Sequence, residues 1–114
     1  MGKLTEASCE TSKPRKDRDK LIGDADGLFL RIRPQGTKTW IVEYEFKGER
    51  RKYTLGSYMS NDAPGIGIEQ WLRHGRLSLS QARTIAGEWK AARSAGRDPV
   101  AEWEAQLEKN LVYP

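Results

Sequence analysis

The sequence predicts an α+β domain: a three-stranded antiparallel sheet packed against one α-helix, in the order β-β-β-α, with a further C-terminal helix. Three observations lead there. Apolar residues recur at every second position in three runs between Leu28 and Leu55. A capped segment from Ser78 onward repeats its apolar residues at helical spacing instead. Finally, 114 residues at 13.0 kDa supply one hydrophobic core rather than two.

The stretch up to Asp26 is polar, with Lys13, Arg15, Lys16, Arg18 and Lys20 interleaved with Asp17 and Asp19 and broken by Pro14. Residues 1–26 read as a basic N-terminal arm. The residues alone fit an extended arm and a solvated, mobile terminus equally well.

From Gly27 the period becomes two. Leu28, Leu30 and Ile32 alternate with Phe29, Arg31 and Arg33, and Pro34, Gln35 and Gly36 supply turn chemistry. A second run sets Trp40, Val42, Tyr44 and Phe46 against Thr39, Ile41, Glu43 and Glu45, ending at Lys47 and Gly48. The third sets Arg51, Tyr53 and Leu55 against Arg50, Lys52 and Thr54. Antiparallel partners must share a face. A tight turn at Lys47 and Gly48 pairs Glu45 with Arg50, Glu43 with Lys52, Ile41 with Thr54, Tyr44 with Arg51, Val42 with Tyr53 and Trp40 with Leu55. A turn over residues 34–37 sets Arg33 by Thr39, Arg31 by Ile41 and Phe29 by Glu43. One face is then aromatic and aliphatic. The other carries Arg, Lys, Thr and Glu, with Phe29 and Ile41 among them.

The apolar face needs a cover. Ser78 and Gln81 have capping-box spacing, and Leu79, Ala82, Ile85, Ala86, Trp89 and Ala92 follow on one helical face, with Gly96 placed to end the helix. The expected core is Leu28, Leu30, Ile32, Trp40, Val42, Tyr44, Tyr53, Leu55, Ile85 and Trp89. Asp98 and Pro99 start a second helix. Its thin stripe of Val100, Trp103 and Leu107, against Glu102, Glu104, Glu108 and Lys109, suggests a segment leading out of the domain. Between Tyr58 and Leu77 a Gly- and Pro-containing loop holds Ile66, Ile68, Trp71 and Leu72, enough for a single helical turn.

Charged residues make up 32% of the chain and the hydrophobic set 37%. No apolar run approaches the roughly 18 residues of a membrane span, so a soluble protein without a membrane role is expected. The one cysteine, Cys9, cannot pair within the chain, and no signal-peptide core follows Met1. Both point to a reducing, cytoplasmic setting. The net charge is +4, and all the excess lies in Met1–Gly56, with 13 basic and 9 acidic side chains against 7 and 7 afterwards. An anionic partner fits, nucleic acid before membrane surface.

Little in the sequence can carry catalysis. His74 is the only histidine and has no metal or triad partners near it, so it is expected at the surface. Glu43 and Glu45, each opposite a basic residue, read as cross-strand ion pairs rather than an acid–base couple. No cofactor, metal site or phosphate-binding glycine loop is expected. What remains is the polar sheet face. Arg31, Arg33, Arg50, Lys52 and Thr54 point together, flanked by Lys38, Thr39 and Lys47 and by Lys13, Arg15 and Lys16 of the arm. Such a face suits the DNA major groove, and a solvated sheet surface accounts for the same residues.

The succession KLTEASCETSKP, DGLFLRIRPQGTKTWIVEYEFKGERRKYTLGSY, LSLSQART and AGRDP resembles the amino-terminal arm-binding domain of phage and prophage integrases, which are tyrosine recombinases. The match runs from Lys3 to about Pro99. Its specific part is the ordered set Asp26-Gly27-Leu28, Gly36 with Trp40, Gly48 with basic residues after it, Leu55-Gly56-Ser57-Tyr58, the Ser-Leu-x-x-Ala-Arg helix start and the Gly-x-Asp-Pro end. The resemblance implies sequence-specific binding of double-stranded DNA at arm-type sites by residues 27–97, within a prophage-encoded recombinase that integrates or excises phage DNA in a bacterial host. Cleavage would fall to a catalytic domain absent from this chain, so the chain is not an enzyme and Tyr113 is no nucleophile. Residues 98–114 become a helical linker towards that absent region. Other integrase protomers join DNA as partners in the full-length protein.

Two features depart from the family. Ile41, Glu43 and Glu45 stand where basic residues are common, and residues 59–76 form an insertion before the helix. The competing functions are a double-stranded RNA-binding module and a protein-interaction module. The first expects a long helix before the sheet and a lysine cluster at the last helix. The second would use the Trp71 loop and the C-terminal helix.

Overall fold

The computed structural model describes residues 4–111, which form α1 (Glu6–Thr11), β1 (Lys20–Gly23), β2 (Leu28–Ile32), β3 (Lys38–Phe46), β4 (Glu49–Tyr58), α2 (Ile68–His74), β5 (Arg76–Leu77), α3 (Leu79–Ser94) and α4 (Pro99–Leu111). Lys3 and Tyr113 lie outside the described residues.

The α+β class is as expected, but the sheet has five strands rather than three, in the order β1-β2-β3-β4-β5. The central meander is antiparallel, β1 extends it beside β2, and β5 pairs in parallel with the end of β4. Both additions are too short to show a period in sequence. Instead, backbone geometry makes them. Asp26 and Gly27, at φ 59° and 80°, fold β1 back onto β2. Gly75, at φ 83°, ends α2, and its carbonyl accepts from Ser57 N at 2.9 Å, which brings β5 alongside.

The β3–β4 register matches expectation from Ile41–Thr54 to Glu45–Arg50. It then shifts at Trp40, which pairs with Gly56 and not with Leu55. The cause is the approach of the α2–β5 connection: a Cβ on Gly56 would stand 2.5 Å from the Gly75 carbonyl oxygen. A glycine must face that backbone, and Leu55 becomes the extra residue of a bulge, still buried in the core. The β2–β3 register differs by two residues, pairing Arg31 with Thr39 and Phe29 with Ile41. Arg33 and Thr37 close a shorter loop, in which Arg33 N donates to Thr37 O at 2.9 Å and Gly36 N to Arg33 O at 2.8 Å. A two-residue shift leaves every side chain on its expected face.

α3 covers the apolar face. Its Ser78–Gln81 capping box is formed, and Gly96 at φ 83° ends it, with Arg97 N reaching back to Ala92 O. All ten expected core residues belong to the core cluster, Tyr53 being partly buried. The Tyr53 and Trp89 rings lie 5.7 Å apart.

The segment read as an arm contributes to this body. Thr5 and Ser8 form a capping box that starts α1, and Leu4 and Cys9 are buried in the core. The insertion is also built in. Gln81 accepts from Ala63 N at 2.7 Å and donates to Ala63 O at 3.1 Å, Ser78 Oγ contacts Asp62, and Ala63 and Leu72 join the core. α4 docks as well, since Trp103 is buried and its indole nitrogen donates to the Tyr53 hydroxyl at 2.9 Å. Asp98 caps α4 by accepting from Val100 N and Ala101 N, while its other oxygen meets Arg51 of β4.

Candidate nucleic-acid interface

The sheet face turned away from α3 can be read in rows, because partners across a ladder share a face. Leu21, Arg31, Thr39, Ser57 and Arg76 form one row across all five strands. Gly23, Phe29, Ile41 and Thr54 form the next, followed by Glu43 with Lys52 and then Glu45 with Arg50. Arg31, Thr39, Arg50, Lys52 and Thr54 are thus brought to one surface, and Arg33 lies just beyond β2 beside it.

Within that surface, exposure divides the residues. Arg50 and Lys52 keep 83% and 69% of their side chains in solvent, whereas Arg31 keeps 25% and Thr39 is nearly buried. The Arg31 guanidinium donates no hydrogen bond within the described residues. Its Nε is buried without a hydrogen-bond partner and makes a long ion pair with the Asp19 carboxylate, 3.9 Å away. That contact also brings the end of the α1–β1 loop to this face. Lys13, Arg15 and Lys16 are exposed on the same loop.

Lys38 belongs elsewhere. It pairs with Ile32 on the α3 side of the sheet, and its ammonium donates to the Cys9 and Glu10 carbonyls at 2.5 and 2.9 Å, neutralising the C-terminal end of α1. A lysine at a strand start shows no such commitment in sequence. Arg76 is exposed in the first row and was missed, because two residues of β5 leave no alternation to read.

The two glutamates behave differently. Glu43 takes both cations, with Arg50 Nη2 and Lys52 Nζ each 3.5 Å away. Arg50 is therefore the register partner of Glu45 but the ion-pair partner of Glu43. Glu45 is exposed and makes no ion pair among the described residues. Exposed pairs of this kind are weak, so Arg50 and Lys52 can turn from Glu43 to a phosphate at little cost. His74 is exposed, as expected.

A family model described as Arm DNA-binding domain matches residues 4–106. The chain belongs to that family. Among related proteins, the arm domain is 32% identical over 112 residues to the integrase of Enterobacteria phage P4, covering 97% of this chain and 22% of that protein. It is 27% identical over 107 residues to the prophage integrase IntS of Escherichia coli K12, covering 94% of this chain and 23% of that protein. Shigella phage Sf6 integrase matches at the same level. The arm domain thus spans a little over a fifth of the length of these relatives. It is an N-terminal integrase domain that binds DNA. No helix among the described residues is long and apolar enough to cross a membrane.

Proposed function

We propose that the arm domain binds arm-type sites in double-stranded DNA sequence-specifically, with the outer sheet face in the major groove. The parent protein would be a tyrosine recombinase that integrates or excises phage DNA in the cytoplasm of a bacterial host. Residues 27–97 form the binding unit in this reading, and the chain after residue 98 leads towards core-binding and catalytic regions. The observation that carries the proposal is Arg31, on the outer face with a guanidinium that makes no hydrogen bond among the described residues and only a 3.9 Å ion pair with Asp19. A guanidinium so placed can meet guanine O6 and N7 on the groove floor. Arg50 and Lys52 then hold phosphates from one side of the face, and Lys13, Arg15 and Lys16 do so from the loop.

Fluorescence anisotropy at several salt concentrations tests this on a duplex selected by the domain from a random pool and on an unselected duplex. Arg31→Ala loses about 1–3 kcal/mol on the selected site and much less on the other. Lys13→Ala and Arg15→Ala weaken both alike and flatten the salt slope by roughly one charge each. Equal losses on both duplexes for every variant would overturn sequence-specific reading.

A further inference from the structure

The outer face is not uniformly polar, and its apolar part has a definite place. Leu21 keeps 51% of its surface exposed, on the edge strand β1 and in the same row as Arg31. A single exposed leucine needs no explanation. This one has a neighbour, however. Phe29 faces Gly23 across the β1–β2 ladder, and a Cβ on Gly23 would stand only 3.3 Å from Phe29 Cε2. The missing side chain lets the phenyl ring lie over β1, two residues along from Leu21 on the same face. Ile41, register partner of Phe29, continues the band onto β3. The band lies outside the core cluster under α3 and is continuous with Arg31, Thr39 and Thr54.

The major groove offers one apolar feature, the C5 methyl of thymine. We infer that Leu21 and Phe29 recognise thymine methyl groups, so that the preferred duplex carries thymines where β1 and β2 meet it, with the phosphates held by Arg50 and Lys52 lying towards β4. This inference rests on the major-groove reading above. It divides the surface by chemistry: an apolar edge at β1–β2 that senses methyl groups, Arg31 beside it, and Lys52 and Arg50 on β4.

The test uses the 114-residue chain. The preferred site is selected from a random duplex pool, and each thymine in it is replaced in turn by deoxyuridine, which removes one methyl and leaves pairing intact. At one or two adjacent thymines affinity should fall about fourfold, the effect of withdrawing a methylene-sized group worth about 0.8 kcal/mol. Leu21→Ala, at an exposed position, should bind the thymine site about as weakly as the native domain binds the uracil site, and should lose no more on uracil. Phe29→Leu serves as the second variant, with thermal melting to confirm that both are folded. A preferred site at which no uracil matters would overturn the inference while leaving sequence-specific binding intact. A uracil penalty that both variants retain in full would overturn the assignment to these residues. A pool that stays random would overturn sequence-specific reading and this inference with it.

Discussion

Arg83, in the second turn of α3, donates to the fully buried carboxylate of Asp24 from 2.8 Å, although 59 residues separate them. The same guanidinium reaches the Leu4 carbonyl, and Leu4 N donates to Asp24 at 2.9 Å. One ion pair thus fastens three parts of the chain: Leu4 just ahead of α1, the end of β1 and the helix over the sheet. Burial alone would push the Asp24 carboxyl up, but hydrogen bonds from Arg83 and from the Leu4 and Ala25 amides outweigh it and hold it below 3.8. A carboxyl depressed in the folded state contributes stability above its unfolded pKa and loses it as pH falls through the folded value.

Asp24→Asn should therefore destabilise the domain at neutral pH by about 1.5–3 kcal/mol, the range for hydrogen bonds to a charged group, since half-exposed Arg83 can turn to water. The difference from the native protein should shrink below about pH 4. Thermal melts from neutral to acid pH measure both, and an undiminished difference in acid would assign the loss to packing.

Gly27→Ala should cost about 2 kcal/mol or more. The residue holds φ 80°, and a Cβ there would collide with the Glu43 carbonyl oxygen, whose amide donates to Gly27 O at 2.8 Å. Gly36→Ala is the comparison, since its φ is also positive but its Cβ would meet nothing. Urea denaturation should show the larger loss at Gly27.

Trp103→Ala tests whether α4 belongs to the domain. With Trp103 buried in the core and bonded to Tyr53, the change should cost about 3–5 kcal/mol. Trp103→Phe should recover most of this, forfeiting about 1 kcal/mol with the hydrogen bond. A helix that merely led away from the domain would show no loss in either variant.

Glu45→Arg should strengthen binding to unselected DNA and steepen the salt dependence. It replaces an exposed acid on the outer face and breaks no ion pair among the described residues, since Arg50 is held by Glu43. Anisotropy at low and moderate salt measures the gain, and unchanged affinity would argue that this end of the sheet does not approach DNA.

The meander, the α3 lid and its caps were legible because each rests on local spacing: period two from Leu28 to Leu55, helical period from Leu79, and Ser78 with Gln81. The shared face of Arg31, Lys52 and Thr54 followed from parity, which survived two errors of register. What sequence could not show depended on distant backbone. β1 has only Leu21 and Ile22 to alternate, and its place depends on the Asp26–Gly27 turn. β5 exists because Gly75 meets Gly56. Lys38, expected to flank the polar face, turns instead to the α3 side, because nothing local marks a lysine whose partners are carbonyls at the end of α1. The stripe on α4 looked thin because Trp103 was counted without Tyr53, its hydrogen-bond partner 50 residues earlier.

β5 covers only Ser57 and Tyr58, so β4 from Glu49 to Leu55 has no neighbouring strand on its outer side among the described residues. Open ladders of that length invite a second copy to pair with them. Glu49, Arg50 and Lys52, all exposed, and half-buried Arg51 stand along this stretch, and two copies aligning here would crowd like charges together. Arg50 and Lys52, proposed above to hold phosphates, would thus also act as gatekeepers against aggregation. Engineering Arg50 and Lys52 towards apolar readers of DNA would compromise colloidal stability before it compromised the fold.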